Sequence, residues 1–268
     1  MITVLLSAMH LDDENYIDTL SICSDAVVIN QCDNDMRKRV KHTCIDGSIH
    51  DVEYIETTQR GLSKSRNMAI ANATSDICIL CDNDVEYISG YASVVESAFE
   101  QHKDADIIVF FIKRPERLVP IFDAAKKMNY LSVLKIFSPE IAFRRSSIEG
   151  IMFNEDFGAG AKYRMGEENI FLYECLRAGK KIMYVPIQIA ALRDEESTWF
   201  KGYDYDFFIS RGANYAAMTR MFSHVLIWQF ALRKRALYAN NISTVNAIVA
   251  MYRGRRQYLA GRKADKRL

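Results

Sequence analysis

No apolar stretch of this 268-residue chain reaches the ~18–20 residues that a membrane-spanning helix needs. The longest candidate, Val225 to Leu232, runs straight into Arg233-Lys234-Arg235. The N-terminus enters a strand-like run without a positive leader, so no signal peptide is expected and the cytoplasm is the expected compartment. Internal repeats and low-complexity linkers are missing, which argues against solenoids and flexible arrays. The six cysteines follow no regular spacing. Cys78 and Cys81 form a CxxC inside a strand-like run, where residues three apart face opposite sides, which speaks against a disulfide or zinc pair. No redox or metal role is expected of the cysteines.

What is present is an ordinary globular composition with a hidden charge asymmetry. Residues 211–268 carry twelve Lys/Arg against one acid, Asp265. That leaves 23 bases against 33 acids in residues 1–210, so a local charge of +11 follows one of −10. Such a basic end suits anionic lipid or nucleic acid.

Strand-like and helix-like segments alternate over the first 112 residues, the pattern of a doubly wound α/β sheet. Strands are expected at 1–7, 26–30, 52–55, 77–81, 107–112, 141–144 and 181–189. Helices are expected at about 12–23, 61–73, 91–101, 122–129 and 166–178, with helical structure again beyond Phe207. Arg37 to Gly47 reads as a polar loop, and Asp194 to Tyr205 as a polar and aromatic one. The division expected is one domain over 1–205 and a basic helical extension over 206–268.

The most informative stretch is Asp76 to Asp84. A short unbroken apolar run ends in Asp82-Asn83-Asp84. Such a run suits a strand buried on both faces of a parallel sheet, and ligands bind beyond the carboxyl ends of such strands. Two carboxylates separated by one residue can converge on a hard cation; Asx-rich turns are the competing reading. Two other strand ends, Ser7–Met9 and Asn30–Asp33, should lie on the same sheet edge. A glycine opening a helix, with Lys64 and Arg66 in its first turns, suits an anion, although the Walker spacing is absent. A solvated helix face would account for the same two residues.

The order of these pieces resembles the family-2 glycosyltransferases, which have the GT-A fold. The resemblance rests on Val4–Met9, Val27–Asp33, Gly61-Leu62-Ser63-Lys64-Ser65-Arg66-Asn67 and Asp82-Asn83-Asp84, in that order. Phe157-Gly158-Ala159-Gly160 followed by Gly166-Glu167-Glu168-Asn169 resembles the family's acceptor-side loop and acidic motif. It implies a mainly parallel, mixed GT-A sheet and an inverting transfer from a nucleoside-diphosphate sugar, expected to be a UDP-sugar. The acceptor expected is a glycan or lipid-linked hydroxyl in surface-polysaccharide synthesis.

Carried over, the resemblance puts Ser7, Met9, Asn30, Gln31, Asp33, Gly61, Lys64, Arg66, Asn67 and Asp82 around the nucleotide. Asp82 and Asp84 would hold a divalent metal, Mn2+ or Mg2+. Glu168 would be the base, with Glu167 its close competitor, and Phe157, Gly158, Ala159 and Gly160 would face the acceptor. The sequence departs from the family at Asn30-Gln31, where paired aspartates are usual. It also has no His in Ala190 to Asp194, where many relatives supply a further metal ligand. Residues 221–268 are expected either to meet an anionic membrane surface, placing the protein peripherally on the inner face of the cell membrane, or to pack on the main domain. Nucleic acid is not an expected partner. The alternatives are a catalytically silent nucleotide-sugar-binding scaffold, and more remotely a DxD phosphohydrolase.

Overall fold

The computed structural model describes residues 1–13, 15–193, 200 and 202–265. Residues 194–199 and 201 of the expected loop lie outside the described residues. The chain forms two compact units. The first holds Met1–Arg60, Lys64–Phe153 and the chain from Phe171 through the last strand. The second holds Gly61–Ser63, Asn154–Ile170 and the C-terminal helices.

The first unit is built on one mixed sheet. The chain runs through β1 (Ile2–Met9), the single turn α1 (Tyr16–Thr19) and β2 (Asp25–Gln31). Then come β3 (Met36–Thr43), β4 (Ile49–Thr57) and α2 (Leu62–Asn72), whose first residues belong to the second unit. β5 (Ile77–Asp82), β6 (Val85–Tyr87), α3 (Tyr91–Gln101) and β7 (Ile107–Lys113) follow. β8 (Lys126–Lys127), β9 (Ile141–Arg144), α4 (Glu167–Arg177) and β10 (Ile182–Leu192) complete the order. The strand order is β3-β4-β2-β1-β5-β9-β7-β10-β6, with β8 paired to β10. β4, β2, β1 and β5 are parallel neighbours, as are β7 and β10; β9 enters antiparallel between β5 and β7.

β1, β5 and β7 read as continuous apolar runs because both sheet faces are covered. Val4, Leu6, Ile79, Ile108 and Phe110 are buried in one core with Ile17 of α1 and Tyr91, Val95 and Phe99 of α3. The edges are handled differently. β6 is three residues long, and β3 carries Arg37, Lys38, Arg39 and Lys41, charges that discourage further strand pairing. β10 slips register against β7 on either side of Gln188, just after Pro186, which has no N–H for the ladder.

Three expectations are corrected. Residues 37–47 are not an irregular loop: Met36–Thr43 pairs antiparallel with β4, and its even positions from Lys38 to His42 are half-buried while its odd ones are exposed. A strand needing to bury only one face tolerates basic residues on the other, which hid it from composition. The segment 122–129 is not helical but supplies β8, held where Tyr184 on β10 accepts the Ile121 N–H at 2.9 Å through its hydroxyl oxygen. The first helix stops at Thr19 rather than near Cys23. Ser21 takes a left-handed φ of 54°, and Ile22 N–H returns to the Ile17 carbonyl at 3.2 Å, a Schellman closure made without glycine.

The second unit is helical, with α5 (Tyr205–Met218), α6 (Ser223–Arg233), α7 (Arg235–Tyr238) and α8 (Thr244–Asp265). Asp204 caps α5 by accepting the Phe207 N–H at 2.6 Å. α5 and α8 approach closely through two glycines. A Cβ on Gly212 would stand 1.8 Å from the Met251 carbonyl oxygen, and one on Gly254 1.9 Å from that of Ile209. No helix among the described residues is long and apolar enough to cross a membrane.

Candidate active site

The sheet register brings the candidate nucleotide residues of the first unit to one edge. Ser7 pairs with Asp82, Met9 with Gln31, and Gln31 with Thr57, so four parallel strands end side by side. At this edge the strands release their chains into loops, and here the short polar side chains gather.

Arg66 lies at the centre. It projects from α2 and is 1% exposed, and its Nη2 donates to Asp82 Oδ1 at 2.8 Å. The Phe153 ring sits 5.5 Å from its guanidinium carbon and adds a cation–π contact. One position earlier, Ser65 Oγ donates to Ser7 Oγ at 2.9 Å, tying α2 to the end of β1. Asp82 is thus oriented by a buried cation and remains partly open to solvent. Asp84, two residues on, is also half-buried, and its carbonyl accepts the Arg193 N–H at 2.8 Å.

Two predicted residues have their amides engaged within the fold. Asn30 is buried; its Oδ1 accepts from Leu11 N–H at 2.9 Å, and its Nδ2 donates to the Leu11 carbonyl at 3.1 Å. Asn67 does the same for Phe153, at 2.8 and 3.0 Å, which holds that ring near Arg66. Asp33 is exposed and pairs with Arg60 at 2.6 Å. Lys64 is half-buried and Met9 exposed.

Two residues not singled out from the sequence organise this edge. Arg60 donates from Nη1 to the carbonyls of Cys32 and Thr57 at 2.8 and 3.0 Å while Nη2 holds Asp33, so one guanidinium joins the ends of β2 and β4. Asp35 accepts from the backbone N–H and hydroxyl of Thr58, which hold its carboxyl below the usual carboxylate range. Their pairing crosses more than twenty residues, and no local pattern announces it.

In the second unit the glycine-rich loop closes on the start of α2. Leu62 N–H donates to the Ala159 carbonyl at 2.9 Å, and Ser63 Oγ donates to that of Phe157 at 2.7 Å. Gly160 passes Gly61 so closely that an added Cβ would touch Gly61 backbone at 3.5 Å. Gly158, at a φ of +105°, leaves 3.3 Å between its would-be Cβ and Glu167 Oε2. The Phe157 ring stacks on Tyr163 at 4.9 Å and meets Tyr258 of α8 at 5.4 Å. Glu167 and Glu168 open α4, where a carboxylate also complements the helix dipole. Glu167 is buried against the loop, whereas Glu168 is half-buried. Asn214 of α5 donates to the Gly166 carbonyl at 2.8 Å, and Arg164 grips Asp204 and Asp206 at 3.0 and 2.9 Å, so this acidic turn is braced from α5.

The donor set at Asp82 and Asp84 is all oxygen, which fits a hard divalent cation. Among the described residues, no third His, Cys, Asp or Glu gathers with them closely enough to complete a protein cage.

This architecture is that of known glycosyltransferases. S. aureus TarS 1–349 in complex with UDP-GlcNAc matches with a TM-score of 0.62 at 14% identity, over 95% of this chain and 81% of that one. The same TarS fragment in complex with UDP matches at 0.60 and 12% identity, over 90% and 75%. The mannosyltransferase PcManGT from Pyrobaculum calidifontis, in complex with GDP-Man and Mn2+, matches at 0.51 and 13% identity, over 97% and 75%. No curated protein matches the sequence. The model of glycosyl transferase family 2 matches residues 25–159, half of the chain. The chain belongs to that family and is a glycosyltransferase.

Proposed function

We propose that this enzyme transfers a sugar from a nucleoside-diphosphate sugar, specifically a UDP-sugar, to a hydroxyl of a glycan or lipid-linked acceptor, with inversion. The observation that carries the reading is the register pairing of Ser7 with Asp82, with buried Arg66 on Asp82, at the carboxyl end of parallel strands. UDP and UDP-GlcNAc in TarS, and GDP-Man with Mn2+ in PcManGT, support a nucleotide-sugar donor and a divalent cation.

Asp82 and Asp84 would hold Mn2+ or Mg2+, which when bound neutralises the diphosphate and favours its departure. Ser7, Met9, Gln31 and Asp33 stand at the strand ends where the nucleoside is assigned, with Asn30 fixing the Leu11 backbone beside them. Gly61, Lys64 and Asn67 complete the nucleotide set, and Phe157, Gly158, Ala159 and Gly160 form the acceptor-side loop. Glu168 takes the proton from the acceptor hydroxyl. Its partial exposure favours it over Glu167, which the loop buries.

Thermal shifts with UDP, GDP and their sugars, with and without Mn2+, test the donor, since a ligand of the folded state raises Tm. Asp84→Ala should lose the Mn2+-dependent part of the shift. Glu168→Gln should keep it and lose turnover of the donor. Unchanged behaviour of both variants would overturn the assignment.

We also assign the C-terminal helices to an anionic membrane surface. Phe222, Val225, Trp228 and Leu232 are exposed at helical spacing along α6, and Arg233, Lys234 and Arg235 follow at its end. An apolar stripe beside basic residues suits a lipid interface, while the +11 charge of residues 211–268 opposes self-association through this face. Val225→Ser/Trp228→Ser should lower flotation with phosphatidylglycerol vesicles. Equal flotation of variant and wild type would refute it.

A further inference from the structure

At the opposite end of the sheet lies a cluster that the transfer reaction does not use. Cys23 stands two residues before β2, and Cys44 and Asp46 lie in the hairpin turn between β3 and β4. One donor atom from each of the three lies within 4.8 Å of the others. β2 runs seven residues away from this cluster to Gln31, which separates it from the nucleotide edge by roughly 20 Å.

We propose that Cys23, Cys44 and Asp46 form a binding site for a thiophilic divalent cation of the Zn2+ class. Two sulfurs and one carboxylate suit zinc, and two thiolates disfavour Mg2+, Ca2+ or Mn2+, which take oxygen ligands. Tetrahedral zinc–thiolate geometry puts two sulfurs about 3.8 Å apart, and the donor atoms here lie no farther apart than 4.8 Å. The third ligand is held in place. Asp46 Oδ1 accepts from Ser48 N–H at 2.9 Å and from Ser48 Oγ at 2.6 Å, and these bonds hold its carboxyl below the usual range. Ser48 Oγ in turn meets His50 Nε2 at 2.8 Å. The turn is tied by Cys44 N–H to the Ser48 carbonyl and Gly47 N–H to the Cys44 carbonyl, both at 2.9 Å, with Gly47 at a φ of +81°.

A cavity of about 320 Å³, lined by Cys23 and Cys44 with Asp18, Ser21, Ile22 and Ile45, gives access and room for water as the fourth ligand. Burial, with the neighbouring Cys23, pushes the Cys44 thiol up to about 12. Binding M2+ forms two metal–sulfur bonds, and any thiol that binds as thiolate gives its proton to solvent.

The test is Co2+ titration of the full chain, reduced and freed of metal. The expected result is thiolate-to-cobalt charge-transfer absorption saturating at one equivalent, and displacement by Zn2+ but not by Mg2+. Cys23→Ser and Cys44→Ala should abolish the band, Asp46→Asn should weaken binding about tenfold, and Cys78→Ser should leave it unchanged. Cys23 is only half-buried, so its serine variant tests the site even if Cys44→Ala misfolds. No band in the wild type, a band surviving in Cys23→Ser, or a Cys23–Cys44 disulfide that takes no ion would overturn the proposal.

Discussion

Arg66 and Asp82 should cost unequal amounts to remove, in an order set by burial. Arg66 is 1% exposed, while the Asp82 side chain is 21% exposed. Asp82→Asn leaves a buried guanidinium facing a neutral amide. Breaking a buried pair from one side costs about 3–5 kcal/mol, and the Phe153 ring, together with the amide oxygen that still accepts a bond, places this case near 3. Arg66→Met leaves the carboxylate instead, which water can reach, and fills the space with apolar volume; about 1–2 kcal/mol should be lost. Arg66→Met/Asp82→Asn removes both charges and should cost little more than Arg66→Met alone, a coupling of about 2–3 kcal/mol. Urea denaturation without nucleotide or divalent metal measures all three. Additive losses, or a larger loss for Arg66→Met than for Asp82→Asn, would refute the claim that the two charges are coupled and that burial sets the order.

Other consequences follow from the same structure. Gly212→Ala drives a Cβ into the Met251 carbonyl and should cost about 3 kcal/mol in a denaturation curve. Gly261→Ala, on the same α8 but in open space, should be neutral or stabilise by up to about 1 kcal/mol. Asp35, its pKa lowered from an ordinary 3.8 by Thr58, stabilises the fold above that value and loses this contribution as pH falls through its folded value. Stability curves of wild type and Asp35→Asn should therefore separate at neutral pH and converge in acid; parallel curves would show that the Thr58 bonds carry no net stability.

Much of this protein was legible in the chain because its signals are local. A run such as Ile77 to Cys81 must be buried on both faces, and a carboxylate pair just after it must emerge at a strand end. Residues 61–67 and 157–160 carry glycine and polar spacing that can be read locally, and their order along the chain carries the resemblance to the family. The Arg37 to Thr43 strand was hidden because an edge strand buries only alternate residues, and charge filled the others. The early stop of α1 was hidden because Ser21, not glycine, takes the left-handed position.

By itself, then, the sequence determined the alternating α/β pattern, the strand that delivers Asp82 and Asp84, the acidic opening of α4 and the charge of the C-terminal helices. These depend on side chains a few residues apart, whose hydropathy and spacing act before the chain folds. Tertiary structure alone decided that Arg66 is buried on Asp82, that Asn30 and Asn67 hold Leu11 and Phe153, and that Arg60 joins two strand ends. It also decided that Cys23 meets Cys44 and Asp46 across more than twenty residues. Those pairings arise from strand register and loop closure, and a side chain's neighbours in space leave no mark on its neighbours in sequence.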